Sequence, residues 1–128
     1  MAFEADFTEW LKQALETKAP AKVKAFSFNL FEPAEIKNVK FGVELIGAGT
    51  FDEDDPDWAT DEVWEPSQRW IGIPLSYSGK KWEACLEKIT SLLSRQIESS
   101  TEVAKILQSK KAVAVGFVDG DLEVIWQK

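Results

Sequence analysis

Apolar residues recur at Phe3, Phe7, Trp10, Leu11, Ala14 and Leu15. This is the i, i+4, i+7, i+8 spacing of one buried helical stripe, and it predicts a helix over residues 3–18. Glu4, Asp6 and Glu9 lie near its positive end and Lys18 near its negative end, as the helix dipole favours. Ala19-Pro20 stops it, because proline pushes the preceding residue out of helical geometry. The period then drops to two. Phe26, Phe28 and Leu30 alternate with Ser27 and Asn29 within residues 23–31. Val39, Phe41, Val43 and Leu45 alternate with Lys40, Gly42 and Glu44 within residues 39–46. Both are strands with one covered face, and the connection through Glu32-Pro33-Ala34-Glu35 makes a β-meander of them. A further short strand is predicted over residues 70–73, ended by Pro74, which suits a sheet edge.

A second helix is predicted to begin near Ser78, whose hydroxyl can cap the free amides of a first turn. Tyr77 and Trp82 then stand at the spacing of a hydrophobic staple. Its buried stripe reads Trp82, Cys85, Leu86, Ile89, Leu93 and Ile97. A capping box from Ser99 to Glu102 starts a short third helix carrying Val103, Ile106 and Leu107. Asp119-Gly120, between two alternating runs, predicts a hairpin with a type I′ turn. That register pairs Phe117 with Leu122, Val115 with Val124 and Val113 with Trp126, all on one face. The order α-β-β-β-α-α-β-β gives a single α+β domain over residues 1–128, a largely antiparallel sheet with helices packed on one face.

With 128 residues, 45% of them hydrophobic, the chain can build one real core. No apolar run approaches the roughly 18–20 residues of a membrane span, and the acidic N-terminus lacks the apolar region of a secretory signal. The one cysteine, Cys85, fits a reducing compartment. A cytoplasmic protein without a membrane partner is expected. Histidine is absent from the chain, so histidine triads, histidine general bases and histidine metal ligands are excluded.

The formal charge of −7 is concentrated rather than spread. Residues 51–66 hold eight acids and no base, while the chain on either side is close to neutral. Such a block creates a local field that steers or docks a basic partner, and it disfavours direct binding to nucleic acid. Read as a calcium loop from Asp52, the run puts Pro56, Asp57 and Val63 where an EF-hand needs a ligand, a glycine and a glutamate. Gly47-Ala48-Gly49 completes no phosphate-binding fingerprint. Cys85 lies on an apolar stripe with no histidine to activate it. The carboxylates of the block could pair as in glycoside hydrolysis, but that chemistry needs one carboxyl in an apolar pocket, and a dense polar run argues for exposure. The expectation is a non-enzymatic domain with no cofactor.

Trp58, Trp64 and Trp70 fall in or just after the acidic block. Large aromatics there serve chiefly to anchor a long loop onto the sheet. The functional alternative makes one or two of them exposed anchors among carboxylates, suited to a cationic protein surface. On that alternative the partner-binding residues are Asp52, Asp54, Asp55, Asp57, Trp58, Asp61, Glu62 and Trp64. In size, acidity and α+β order the chain resembles bacterial immunity proteins of toxin systems, and its segments Phe26-Ser27-Phe28-Asn29-Leu30-Phe31-Glu32 and Phe41-Gly42-Val43-Glu44-Leu45-Ile46-Gly47 look like family-specific strands. The resemblance implies a small cytosolic inhibitor that masks the catalytic surface of a basic toxin. Two other readings compete with it: a divalent-cation site in the same loop, and a homo-oligomer formed through the sheet.

Overall fold

A computed structural model describes residues 2–16 and 18–128. Among the described residues ten helices and strands follow one another: α1 (Ala2–Glu16), β1 (Ala25–Phe31), β2 (Val39–Ala48), β3 (Glu62–Trp64), β4 (Trp70–Pro74), α2 (Leu75–Ser78), α3 (Trp82–Glu98), α4 (Glu102–Leu107), β5 (Ala112–Phe117) and β6 (Glu123–Gln127), with a short 3-10 helix at Trp58–Thr60 between β2 and β3. The expected α+β class is observed, and β3 and the single-turn α2 are added to the predicted order. The predicted end of the first helix, beyond Glu16, falls in part outside the described residues.

The sheet runs β3-β2-β1-β5-β6, with β4 pairing the same edge of β2 as β3 does. β1 is its centre. It pairs antiparallel with β2, setting Phe28 opposite Leu45 and Leu30 opposite Val43. Its other edge pairs parallel with β5, setting Phe26 beside Val113 and Phe28 beside Val115. The remaining pairings are antiparallel. Pro74 ends β4 opposite Val39 on the sheet's outer edge, where its missing N–H costs no ladder bond.

The alternating apolar residues of the strands face the helices. Phe26, Phe28, Leu30, Val43, Leu45, Val113 and Val115 pack against Phe7, Trp10 and Leu11 of α1 and Cys85, Ile89 and Leu93 of α3, all buried. Burial of a phenylalanine or leucine in such a core contributes about 2–3 kcal/mol. The opposite face is covered at one end by a smaller cluster of Ala25, Ile46, Ala48, Ala112 and Ala114 beneath Trp58. Between its ends that face is polar. Ser27 Oγ donates to Asn29 Oδ1 at 2.7 Å, and Asn29 Nδ2 donates to Glu44 Oε2 at 3.0 Å.

Three local expectations are corrected. The second helix starts at Trp82, not near Ser78: Ser78 closes α2, and Gly79 breaks the chain before Lys81 stands at the N-terminus of α3 without a side-chain cap. Trp82 therefore leaves the predicted stripe and is 55% exposed, and Leu92 is buried in addition to the residues predicted. The third helix is capped two residues later than predicted, by Thr101, whose hydroxyl accepts from Ala104 N at 3.2 Å. Ser99 instead terminates α3, its hydroxyl donating to Gln96 O.

The C-terminal hairpin exists, but its predicted register holds only at Ala112↔Gln127 and Val113↔Trp126. Beyond those pairs the register shifts by one, so Val124 stands opposite Ala114 and Glu123 opposite Val115. One extra residue in β6, Ile125, turns Leu122 and Val124 to the smaller cluster while Ile125 and Trp126 stay on the helix side. The turn also differs from type I′, because neither Asp119 nor Gly120 has a positive φ. Gly120 N instead donates to Phe117 O at 3.0 Å.

Gly79 has φ 72° and ψ −172°, a conformation that essentially only glycine adopts. A Cβ there would touch nothing within 4 Å, so Gly79→Ala isolates backbone strain from crowding. The expected cost is about 1–3 kcal/mol, read from the urea midpoint. A midpoint equal to wild type would show that the junction of α2 and α3 relaxes freely.

Candidate functional site

The acidic segment leaves β2 at Ala48 and folds back across the smaller apolar cluster. Gly49 N donates to Asp61 O at 2.8 Å, which closes the base of the loop. Thr50 Oγ1 donates to Trp58 O at 3.3 Å. Trp58 is 4% exposed, lies over the alanines of β1, β2 and β5, and meets Phe51 edge-on at 5.0 Å between ring centres. Its burial holds the loop to the sheet.

Within the loop the carboxylates organise their own backbone. Asp52 Oδ1 accepts from Asp54 N and Asp55 Oδ1 from Asp57 N, both at 2.9 Å. These are Asx turns, the local use aspartate has in loops. The backbone turns Asp52–Asp55 and Asp57–Thr60 complete the path. The result is a fixed ridge on which Asp52, Glu53, Asp54, Asp55, Asp57 and Asp61 are all exposed. None of the six is in an ion pair among the described residues.

The last two acids of the block behave differently. Arg69 donates to Glu62 at 2.6 and 2.7 Å, to Glu44 at 3.2 Å, and to Glu65. Hydrogen bonding from Arg69 holds the Glu62 carboxyl below the usual glutamate value, and the same contacts raise the guanidinium's own pKa further. Glu62 begins β3, so this cluster stitches the end of the loop to β2.

Of the predicted partner-binding residues, the structure brings Asp52, Asp54, Asp55, Asp57 and Asp61 together on the exposed ridge. Glu62 sits beside them but is engaged by Arg69. Trp58 is buried under the loop, and Trp64 is half-buried, its ring 6.1 Å from that of Phe26. Both tryptophans anchor the segment from beneath. Among the described residues no three His, Cys, Asp or Glu side chains converge as a metal-ligating set. Cys85 is fully buried, and burial pushes its thiol up to about 12. No helix among the described residues is long and apolar enough to cross a membrane.

The sequence reading missed an aromatic surface at the far end of β1 and β5, where Trp82 and Val118 are the most exposed large apolar residues. The available signal was Gly79, which separates Ser78 from the helix that follows. Compared with family models, with curated proteins and with solved structures, the chain finds no match.

The Arg69 cluster gives a pH dependence of defined sign. Glu62 has a lower pKa folded than unfolded, so its contribution is fully present above the unfolded value of 4.5. It is lost as pH falls through the lower folded value. Stability should therefore decline below about pH 4.5, and Arg69→Met should flatten that decline. At neutral pH the same substitution should cost about 1–3 kcal/mol. The lower end is expected, because the Arg69 side chain is 31% exposed and solvent screens the lost pairs. Urea titrations of both proteins across this range test it; parallel pH profiles would remove Arg69 as the cause.

Proposed function

We propose that the protein is a non-enzymatic binding domain, an immunity-like inhibitor acting in the cytoplasm, that docks a basic protein partner through the ridge of residues 52–61. The observation that supports this most is the set of six exposed carboxylates without a basic partner among the described residues, on a loop held in place by buried Trp58. Self-repulsion among clustered charges destabilises a compact state, so the ridge is costly in isolation and relieved by a cationic surface. A preorganised ridge also loses little loop entropy on docking. The resemblance to immunity proteins gives the partner's class, a toxin with a basic catalytic surface.

The test replaces Asp52, Asp54, Asp55 and Asp57 together by asparagine. Asparagine keeps the oxygens that accept from Asp54 N and Asp57 N, so the loop retains its shape while losing charge. Basic proteins of the host lysate should be retained on the native domain at low salt, elute with salt, and be lost from the variant. For a retained protein, association should slow by about tenfold or more, with a flatter salt dependence. Equal retention and equal association rates on both baits would refute docking through the ridge.

A further inference from the structure

Parallel pairing brings the ends of β1 and β5 to the same end of the sheet, where Val118 N donates to Leu30 O at 2.9 Å. The start of α3 lies against them. Between these three elements is a cleft of about 630 Å³ walled by Phe31, Phe117 and Trp82, with Val118, Glu32 and Asp119 completing its lining. The volume is in the range of sites that take a ligand or side chain. Its walls are braced from behind. Phe31 meets Trp70 edge-on at 5.3 Å, Phe117 meets Phe41 at 5.5 Å, and Trp82 stands edge-on to Phe117 at 6.0 Å. Trp82 nevertheless remains 55% exposed, so much of its indole has no partner within the domain.

The charge of the lining selects the occupant. Among the described residues its only ionisable lining is Glu32 and Asp119, with no lysine or arginine. Two carboxylates beside an exposed indole repel an anion and attract a cation. Lys40 is an internal competitor: its Nζ lies 3.7 Å from Glu32 Oε1, with both side chains well exposed. Such a surface pair contributes about 0–1 kcal/mol and yields readily. Asp119 is placed by the Phe117–Gly120 turn. Among cations, a guanidinium uses this combination best: it is planar, stacks on tryptophan, and donates two parallel bonds to a carboxylate. The methylenes of its stem suit the phenyl walls.

We propose that this cleft is the seat of an arginine side chain of the protein partner, its guanidinium stacked on Trp82 and held by Glu32 and Asp119. The inference rests on the preceding reading for the basic character of the partner, and not for where on the ridge that partner docks.

The probes are Nα-acetyl-arginine amide and its neutral isostere Nα-acetyl-citrulline amide, each titrated into the ¹⁵N-labelled full chain. Arginine should shift the Trp82 indole and the amides of residues 117–120, with saturation in the millimolar range. Citrulline should bind more weakly by roughly two- to thirtyfold, the span of cation–aromatic attraction. Trp82→Ala, at an exposed position that the core does not need, should abolish the response. A Glu32→Gln/Asp119→Asn double variant should weaken arginine binding while leaving citrulline binding unchanged. The four-asparagine ridge variant should leave the titration unchanged, which separates this site from the ridge. Equal binding of citrulline, shifts confined to residues 51–66, or no shift at tens of millimolar arginine would each overturn the proposal.

Discussion

The parallel pairing of β1 with β5 is the constraint on which the rest of the architecture depends. Parallel neighbours cannot be joined by a tight turn and need a long crossover. Here that crossover carries β2, β3, β4 and the helices α2, α3 and α4. Because β1 is the middle strand, its helix-facing residues Phe26, Phe28 and Leu30 are fully buried, and each strand beside it is fixed by one edge of β1. The helices then cover one face. The other face is left to whatever the loops can supply.

What they supply divides that face into three. At the Ala48 end, alanines at positions 25, 48, 112 and 114 form a low floor into which Trp58 fits. In the middle, Ser27, Asn29 and Glu44 form a chain of hydrogen bonds that ends at Arg69, so the buried hydroxyl of Ser27 has a partner. At the far end, Phe31 and Trp70 cover Gly42, where a Cβ would come within 2.9 Å of both rings. The acidic block is split by this arrangement. Arg69 draws Glu62 and Glu65 into the sheet's edge, while residues 52–61 are held out on the Trp58 anchor. Uniform acidity in the sequence becomes two kinds of carboxylate in the structure, one used internally and one left free.

Features carried by local periodicity were legible in the sequence. The stripe from Phe3 to Leu15 and the alternation around Phe28 and Val43 each repeat often enough to outvote a single exception. The misses came where one residue decided the outcome. Ser78 offers the chemistry of a cap, but Gly79 beyond it adopts a conformation no helix continues through, and so Trp82 moved from the core to the surface. Ile125 is an unremarkable strand residue, yet as a bulge it reversed the faces of Leu122 and Val124. β3 was hidden because Glu62-Val63-Trp64 has only three residues and lies within a charged run. The ridge carboxylates were legible as charge; their division by Arg69 was not, since Arg69 reaches Glu44 through a pairing of β2 and β4 that no local pattern encodes.

The two exposed surfaces lie toward opposite ends of β2, the ridge beyond Ala48 and the aromatic cleft at Phe31, which pairs with Gly42. The six residue steps of strand from Gly42 to Ala48 span about 20 Å. That is more than twice the roughly 8 Å over which charges are felt in physiological salt. The ridge therefore cannot raise the affinity of the cleft through its field, and the cleft cannot report on the ridge. On the proposed reading each has its own task. Exposed, unpaired charge acts during approach and governs association, whereas an aromatic-walled cleft with two carboxylates acts only in contact and governs dissociation. A partner that engages both must present a basic surface and an arginine about one strand length apart. That spacing is a stricter requirement than net charge, and it is what would let so acidic a ridge discriminate among the many basic proteins of a cell.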